Sequence, residues 1–113
     1  MRRGEIWVAN LNPPRGGEMG KIRPVVILQA DWLTEQGAET IIILPLSTQR
    51  RPSLEPLRVH IQARDRLQYD CQTVPEKIRA LDREKFGEGP LTKLTENEIA
   101  AVERSLTAVL GMF

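Results

Sequence analysis

The apolar positions of this chain fall into short runs with no helical spacing, followed by one long run that has it. Glu5-Ile6-Trp7-Val8-Ala9-Asn10-Leu11 puts Ile6 and Val8 on one side of an extended backbone, which predicts a half-buried strand. Ile22 to Leu28 and Thr40 to Leu46 are dense in Ile, Val and Leu, so they read as central strands covered on both faces. Leu57 to Gln62 alternates Leu57, Val59 and Ile61 with Arg58, His60 and Gln62, the pattern of a strand with one wet face. Asp70 to Val74 and Lys77 to Leu81 are weaker strand candidates, interrupted by Pro75.

Helical signals are fewer. Asp31 to Gly37 predicts a short helical turn closed by its glycine, with Trp32 folded back on the sheet. Asp82 to Phe86 suits a short helix ended by the Gly87 and Gly89 loop. Thr95 and Glu98 form a capping box ahead of Ile99, Val102, Leu106, Val109 and Leu110, so a helix is expected from about Glu96 to Leu110, packed on the sheet. Asn12-Pro13-Pro14-Arg15-Gly16-Gly17 forbids regular structure and makes a loop. The expected fold is mainly β with a C-terminal helix (α+β), a small barrel-like sheet in a single domain spanning 1–113.

Composition restricts what such a domain does. The 113 residues, 41% of them hydrophobic, are enough for one modest core. With 16 Lys and Arg against 15 Asp and Glu the net charge is +1, so a nucleic-acid partner must be met by a local patch rather than by overall basicity. The one cysteine, Cys71, has no internal disulfide partner and reads as a buried thiol. No apolar run has the length of a signal peptide or membrane span, which leads us to expect a cytoplasmic protein with no membrane partner.

Chemistry is narrowed further by scarcity. A single histidine, His60, rules out a paired-histidine mechanism within one chain, and one Cys with one His cannot build a zinc site of those ligands alone. Asp65, Asp70, Asp82 and Glu84 alternate with Arg and Lys as solvated surface charges do. Gly16, Gly17 and Gly20 are not followed by the Gly-Lys-Ser/Thr of a Walker loop. No metal and no cofactor are expected.

Arginine, hydroxyl and acid remain. Gly16-Gly17-Glu18-Met19-Gly20-Lys21-Ile22-Arg23-Pro24 leads straight into an apolar strand. Arg23, stiffened by the following proline, offers a planar fork suited to a phosphate; the alternative is that it pairs with Glu18 to pin the loop. Leu46-Ser47-Thr48-Gln49-Arg50-Arg51 ends a buried strand in two hydroxyls and two cations, although such hydroxyls also serve as turn and capping groups. Lys77 and Arg79 fall on one side of a strand with Ile78 on the other, and a solvated sheet face accounts for them equally well.

Four motifs in one order, Arg3-Gly4-Glu5-Ile6-Trp7, Gly17-Glu18-Met19-Gly20-Lys21-Ile22-Arg23-Pro24-Val25-Val26-Ile27, Leu46-Ser47-Thr48-Gln49 and Glu76-Lys77-Ile78-Arg79-Ala80-Leu81-Asp82, resemble the MazF/PemK family of toxin endoribonucleases. The resemblance spans nearly the whole chain. It implies a CcdB/PemK-type, SH3-like barrel forming a homodimer, metal-independent cleavage of single-stranded RNA, commonly messenger RNA, and neutralisation by a cognate antitoxin. It assigns catalysis to Arg23 and to a hydroxyl falling on Ser47, with Thr48 beside it and Glu18 in support. Many relatives carry threonine at the position of Ser47 and glutamine at that of Lys77. Gly17, Lys21, Gln49, Arg50, Arg51, Lys77 and Arg79 are the candidates for RNA contact. Trp7, Trp32, Tyr69, Phe86 and Phe113 are expected to be packing groups rather than base platforms, and the apolar tail Val109 to Phe113 suits a dimer contact. Two other readings stay open: a CcdB-type gyrase poison that acts by binding, and a catalytically degenerate relative that binds RNA or antitoxin without turnover.

Overall fold

In the computed structural model, which describes residues 1–112, the described residues form a curled antiparallel sheet of seven strands and two α-helices. The strands are β1 (Glu5–Asn10), β2 (Ile22–Ile27), β3 (Thr40–Ser47), β4 (His60–Ile61), β5 (Cys71–Thr73), β6 (Arg79–Asp82) and β7 (Thr92–Lys93). The helices are α1 (Asp31–Glu35) and α2 (Glu96–Leu110), and 3-10 segments cover Pro52–Leu57, Pro75–Lys77 and Arg83–Lys85. Phe113, expected to be a packing group in the apolar tail, lies outside the described residues.

The sheet runs β4-β5-β3-β2-β1-β7, with β6 also paired to β3. β3 therefore has two neighbours on one side: its first half pairs with β6 (Ile41 opposite Leu81) and its end with β5 (Leu46 opposite Thr73). Pro45 sits at the changeover, opposite Val25 on β2, and its carbonyl accepts from Val74 N at 2.9 Å. The N–H that a proline lacks would have faced this same junction, where no ladder bond is required of it.

Side chains alternate along β2 and β3, so their unbroken apolar runs feed two cores. Val26, Leu44 and Leu46 join Ile6, Ile61, Leu67, Leu91, Leu94 and Val102 of α2. Val25, Ile27, Ile41 and Ile43 join Ala9, Leu11 and Leu81, with Trp7 and Phe86 packed against them. These strands are buried on both faces over most of their length, as expected, but Ile22 and Ile42 are exposed. Trp7 also explains a glycine: a Cβ on Gly89 would lie 2.2 Å from Trp7 Cδ2.

Helix α2 has the expected limits. Glu98 N donates to Thr95 Oγ1 at 3.1 Å and Thr95 N donates to Glu98 Oε1 at 2.8 Å, closing the capping box. At the other end Gly111 adopts φ 67, and Gly111 N and Met112 N donate to Ala108 O and Thr107 O, the bond pair of a Schellman stop. Val102 is buried and Ile99 and Leu106 are partly buried against the first core; a fully buried side chain of that size stabilises by about 1.5–3 kcal/mol.

Several expectations are corrected. Leu57 to Gln62 is not one strand: Leu57 closes a 3-10 segment containing Pro52 and Pro56, and only His60–Ile61 pairs, because the prolines remove ladder donors. Arg58, assigned to the wet face, is buried. Lys77 to Leu81 begins as a 3-10 turn started by Pro75, so Lys77 is outside β6; likewise Asp82 to Phe86 makes a 3-10 turn, not an α-helix. Trp32 is 63% exposed rather than folded on the sheet, because α1 turns Thr34 inward, and a residue two positions away points to the far side of the helix. Tyr69 is not a packing group either, being 70% exposed. Leu110 and Met112 of the tail are exposed. No helix among the described residues is long and apolar enough to cross a membrane.

Candidate phosphate and nucleic-acid interface

The loop between β1 and β2 is fastened at several points. Asn12 Oδ1 accepts from Lys21 N at 2.7 Å, Lys85 Nζ donates to Asn12 O at 2.9 Å, and Lys77 Nζ donates to Gly17 O at 2.7 Å. Lys21 has φ 71, a left-handed backbone seldom taken by a residue with a Cβ, and it turns the chain into β2. Gly20 allows that turn to close: a Cβ there would meet Asn12 Oδ1 at 3.0 Å.

Arg23 emerges from this turn opposite Ala9 on β1. On its other side β2 pairs with β3 from Ile27 opposite Ile43 to Val25 opposite Pro45; the pairing ends there, and Arg23 and Ser47, two residues beyond it on their strands, line the same two hollows. Two groups far apart in sequence thus border the same space. Arg23 Nε donates to Gly20 O at 2.9 Å, while its terminal nitrogens have no hydrogen bond among the described residues. Ser47 is 7% exposed, and its Oγ accepts from Gln49 N at 3.1 Å, leaving the hydroxyl proton to donate. Thr48 follows it, exposed. Ser47 faces Gln72 on β5 and Gln72 faces His60 on β4. Gln72 is buried, donates from Nε2 to Gln49 O, and leaves its Oε1 without a partner among the described residues.

Two hollows meet at Arg23 and Ser47. One, of about 440 Å³, is polar and cationic, lined by Gly17, Glu18, Gln49, Arg51, Arg58 and Lys77. The other, of about 400 Å³, has an apolar floor of Val8, Leu46, Leu67 and Leu91, with Thr48, Gln68 and Tyr69 at its edge.

Of the expected residues, Arg23, Ser47, Thr48, Gly17, Glu18, Gln49, Arg51 and Lys77 line one or both hollows. Glu18 does not pair with Arg23: its Oε1 accepts from Arg15 N at 3.0 Å and lies 3.7 Å from Arg79 NH1, too far for a hydrogen bond. Arg79 is turned to this acid and lines neither hollow; its Nε and NH1 are buried without hydrogen-bond partners among the described residues. Arg50 donates to Glu55 at 2.6 Å and lines neither of these hollows, although it lines a third with Ser47 and Thr48; this bond, against desolvation and with help from His60, holds the Glu55 carboxyl below its usual range. Lys21 also lines neither.

The sequence did not disclose Arg58, whose side chain is 3% exposed and whose NH2 donates to Glu76 Oε2 at 3.1 Å at the base of the cationic hollow. Its place in an alternating run disguised it as a surface residue. Cys71 lies behind the apolar hollow, its thiol pushed up to about 11 by burial and by the Asp70 charge, which makes it a poor nucleophile. Asp65 and Asp70 serve as acceptors for Thr92 Oγ1 at 2.6 Å and Ala63 N at 2.7 Å, and no three His, Cys, Asp or Glu side chains gather as metal ligands among the described residues.

Fold and cleft together define a small antiparallel-barrel protein whose concave face assembles an arginine, a serine and a ring of cations at one strand pair. Comparison with known proteins carries this to a family. The model of the PemK-like, MazF-like toxins of type II toxin-antitoxin systems matches residues 2–110, and the chain belongs to that family. The backbone is similar to MazF from Deinococcus radiodurans, with TM-score 0.84 and 20% identity over 99% of this chain and 97% of that one. It is similar to an endoribonuclease from a mycobacterial species solved with its cognate antitoxin, with TM-score 0.78 and 18% identity over 100% of this chain and 97% of that one. Toxin MazF-mt6 from Mycobacterium tuberculosis gives TM-score 0.78 and 16% identity over 96% of this chain and 98% of that one.

Proposed function

We propose that this protein is a cytoplasmic, sequence-selective endoribonuclease that acts as a homodimer on single-stranded RNA, needs no metal, and is neutralised by a cognate antitoxin protein. The observation that carries the reading is that Arg23 and Ser47, far apart in sequence, both line the same two hollows. RNA supplies its own nucleophile, the 2′-OH, so the protein has to orient it, stabilise the charge that builds on the phosphorane and assist proton transfer.

Arg23 suits the phosphate. With Nε anchored to Gly20 O, its two terminal nitrogens are held ready for two non-bridging oxygens, and preorganised donors lower a barrier because they need not reorient during reaction. A guanidinium, which keeps its charge in proteins, is a donor rather than a base. Ser47 Oγ already accepts from Gln49 N, so its remaining proton donates to a phosphate oxygen or steers the 2′-OH, with Thr48 beside it. Attack of the 2′-oxygen on phosphorus forms a new P–O bond as the P–O5′ bond breaks, and the 2′-OH proton is lost as one reaches the departing 5′-oxygen. The products are a 2′,3′-cyclic phosphate and a 5′-OH. Lys77, Arg51 and Arg58 in the cationic hollow provide for neighbouring phosphates.

Incubating purified protein with mixed RNA in a chelator and sequencing the new 5′ ends tests the reading: discrete 5′-OH termini are expected. Intact RNA in chelator, with cleavage restored by a divalent metal, would replace the metal-free mechanism; gyrase inhibition with no cleavage under either condition would replace the nuclease.

A further inference from the structure

We propose that the apolar hollow next to Arg23 is a nucleobase slot and that Tyr69 is its stacking platform, an inference that rests on the ribonuclease reading above. A large aromatic ring 70% exposed to water has no packing partner among the described residues of its own chain. Tyr69 stands at the edge of a hollow whose lining includes Arg23, Ser47 and Thr48, so a base in the hollow would belong to a nucleotide adjoining the phosphate on Arg23. Trp32, the other exposed aromatic among the described residues, lines neither hollow.

The surroundings fit one flat ring with a polar edge. Val8, Leu46, Leu67 and Leu91 make an apolar floor, Ile22 adds a 66% exposed apolar side chain, and the amide of Gln68 and the hydroxyl of Thr48 offer donors and acceptors. Arg66 lines the hollow too, paired with Glu88 at 2.6 Å. A volume of about 400 Å³ is the size of a small-molecule site. Unpaired bases are read by this combination of stacking and edge contacts. The two hollows then divide the labour: the cationic one takes phosphates, and the apolar one takes a base and so contributes to the choice of sequence cut.

The test uses the full chain. Parent protein is first given mixed RNA to locate the cut; no cut defeats the nuclease reading and the slot with it. Oligonucleotides carrying the cut sequence are then compared with copies made abasic on the 5′ or the 3′ side of the bond. Tyr69→Ala, which alters an exposed side chain, is expected to lower kcat/KM on intact RNA by roughly five- to a hundred-fold, and Tyr69→Phe by no more than about two-fold. On one of the two abasic RNAs the parent should lose a similar factor and Tyr69→Ala should lose nothing more. Parental rates for Tyr69→Ala, or an equal loss on the intact and both abasic RNAs, overturn the proposal. So does conversion of a dimeric parent to a monomeric variant, which would make Tyr69 a contact between two copies. Loss of antitoxin binding with RNA cleavage unchanged overturns it as well, placing a protein segment on the ring.

Discussion

Arg23 and Ser47 are held by different means, and the difference shapes what their loss should do. Arg23 is fixed by one backbone carbonyl, Gly20 O, and removal of a donor to transition-state charge typically costs about 2.7–4 kcal/mol, a hundred- to a thousand-fold in rate. Arg23→Ala should lower single-turnover cleavage by at least about that factor while its circular dichroism stays parental. Ser47 is buried and flanked by an exposed hydroxyl, so Ser47→Ala should cost less than the Ser47→Ala, Thr48→Ala pair, each measured on the same RNA; equal rates in parent and double variant would remove both hydroxyls from the reaction. These two residues were legible in the sequence because a motif order carried them. Arg58 and Tyr69 were not. A buried cation and an exposed aromatic both contradict composition rules that hold on average, and only three-dimensional neighbours reveal either.

Among the elements, α2 was readable to the residue, since its capping box, apolar spacing and Gly111 agree with one another. Its N-terminus also carries a titration. Glu98 takes Arg64 at 2.6 and 3.0 Å; burial works to raise its pKa, but the bonds from Arg64 and Thr95 prevail and hold the carboxyl below the usual carboxylate range. A carboxylate depressed in the folded state contributes stability above its unfolded pKa and loses it as pH falls through the folded one. Urea titrations from pH 7 down to pH 3 should therefore show Glu98→Gln less stable than the parent at neutral pH, with the gap narrowing on acidification; a constant gap would exclude a charge effect. Thr95→Ala should cost about 1 kcal/mol at pH 7. Two of the elements that sequence misjudged lie beside prolines, while Asp82 to Phe86, a 3-10 turn in place of an α-helix, contains none. Pro52, Pro56 and Pro75 turned apparent strand residues into 3-10 turns, an outcome that apolar alternation alone does not register.

For the molecule as a whole, a net charge of +1 conceals an uneven distribution. Arg23, Arg51, Arg58 and Lys77 line one hollow against Glu18 and Glu76, so RNA affinity should fall with salt far more steeply than the overall charge suggests. Single strands give a slope of about −0.7 in log affinity against log salt per phosphate neutralised. Arg51→Ala, measured with an uncleavable 2′-deoxy substrate at the cut, should make the slope shallower by about that amount; an unchanged slope would take Arg51 off the backbone path.

The arginine and the serine stand two residues beyond the last β2–β3 pair, Val25 opposite Pro45, and so are placed by main-chain pairing more than by the fit of core side chains. Loosening the interior should accordingly thin the population of intact molecules well before it slows the survivors. For a growth-arresting protein this means that potency tracks how many copies persist, and that damage to the core yields a scarcer poison, not a feebler one.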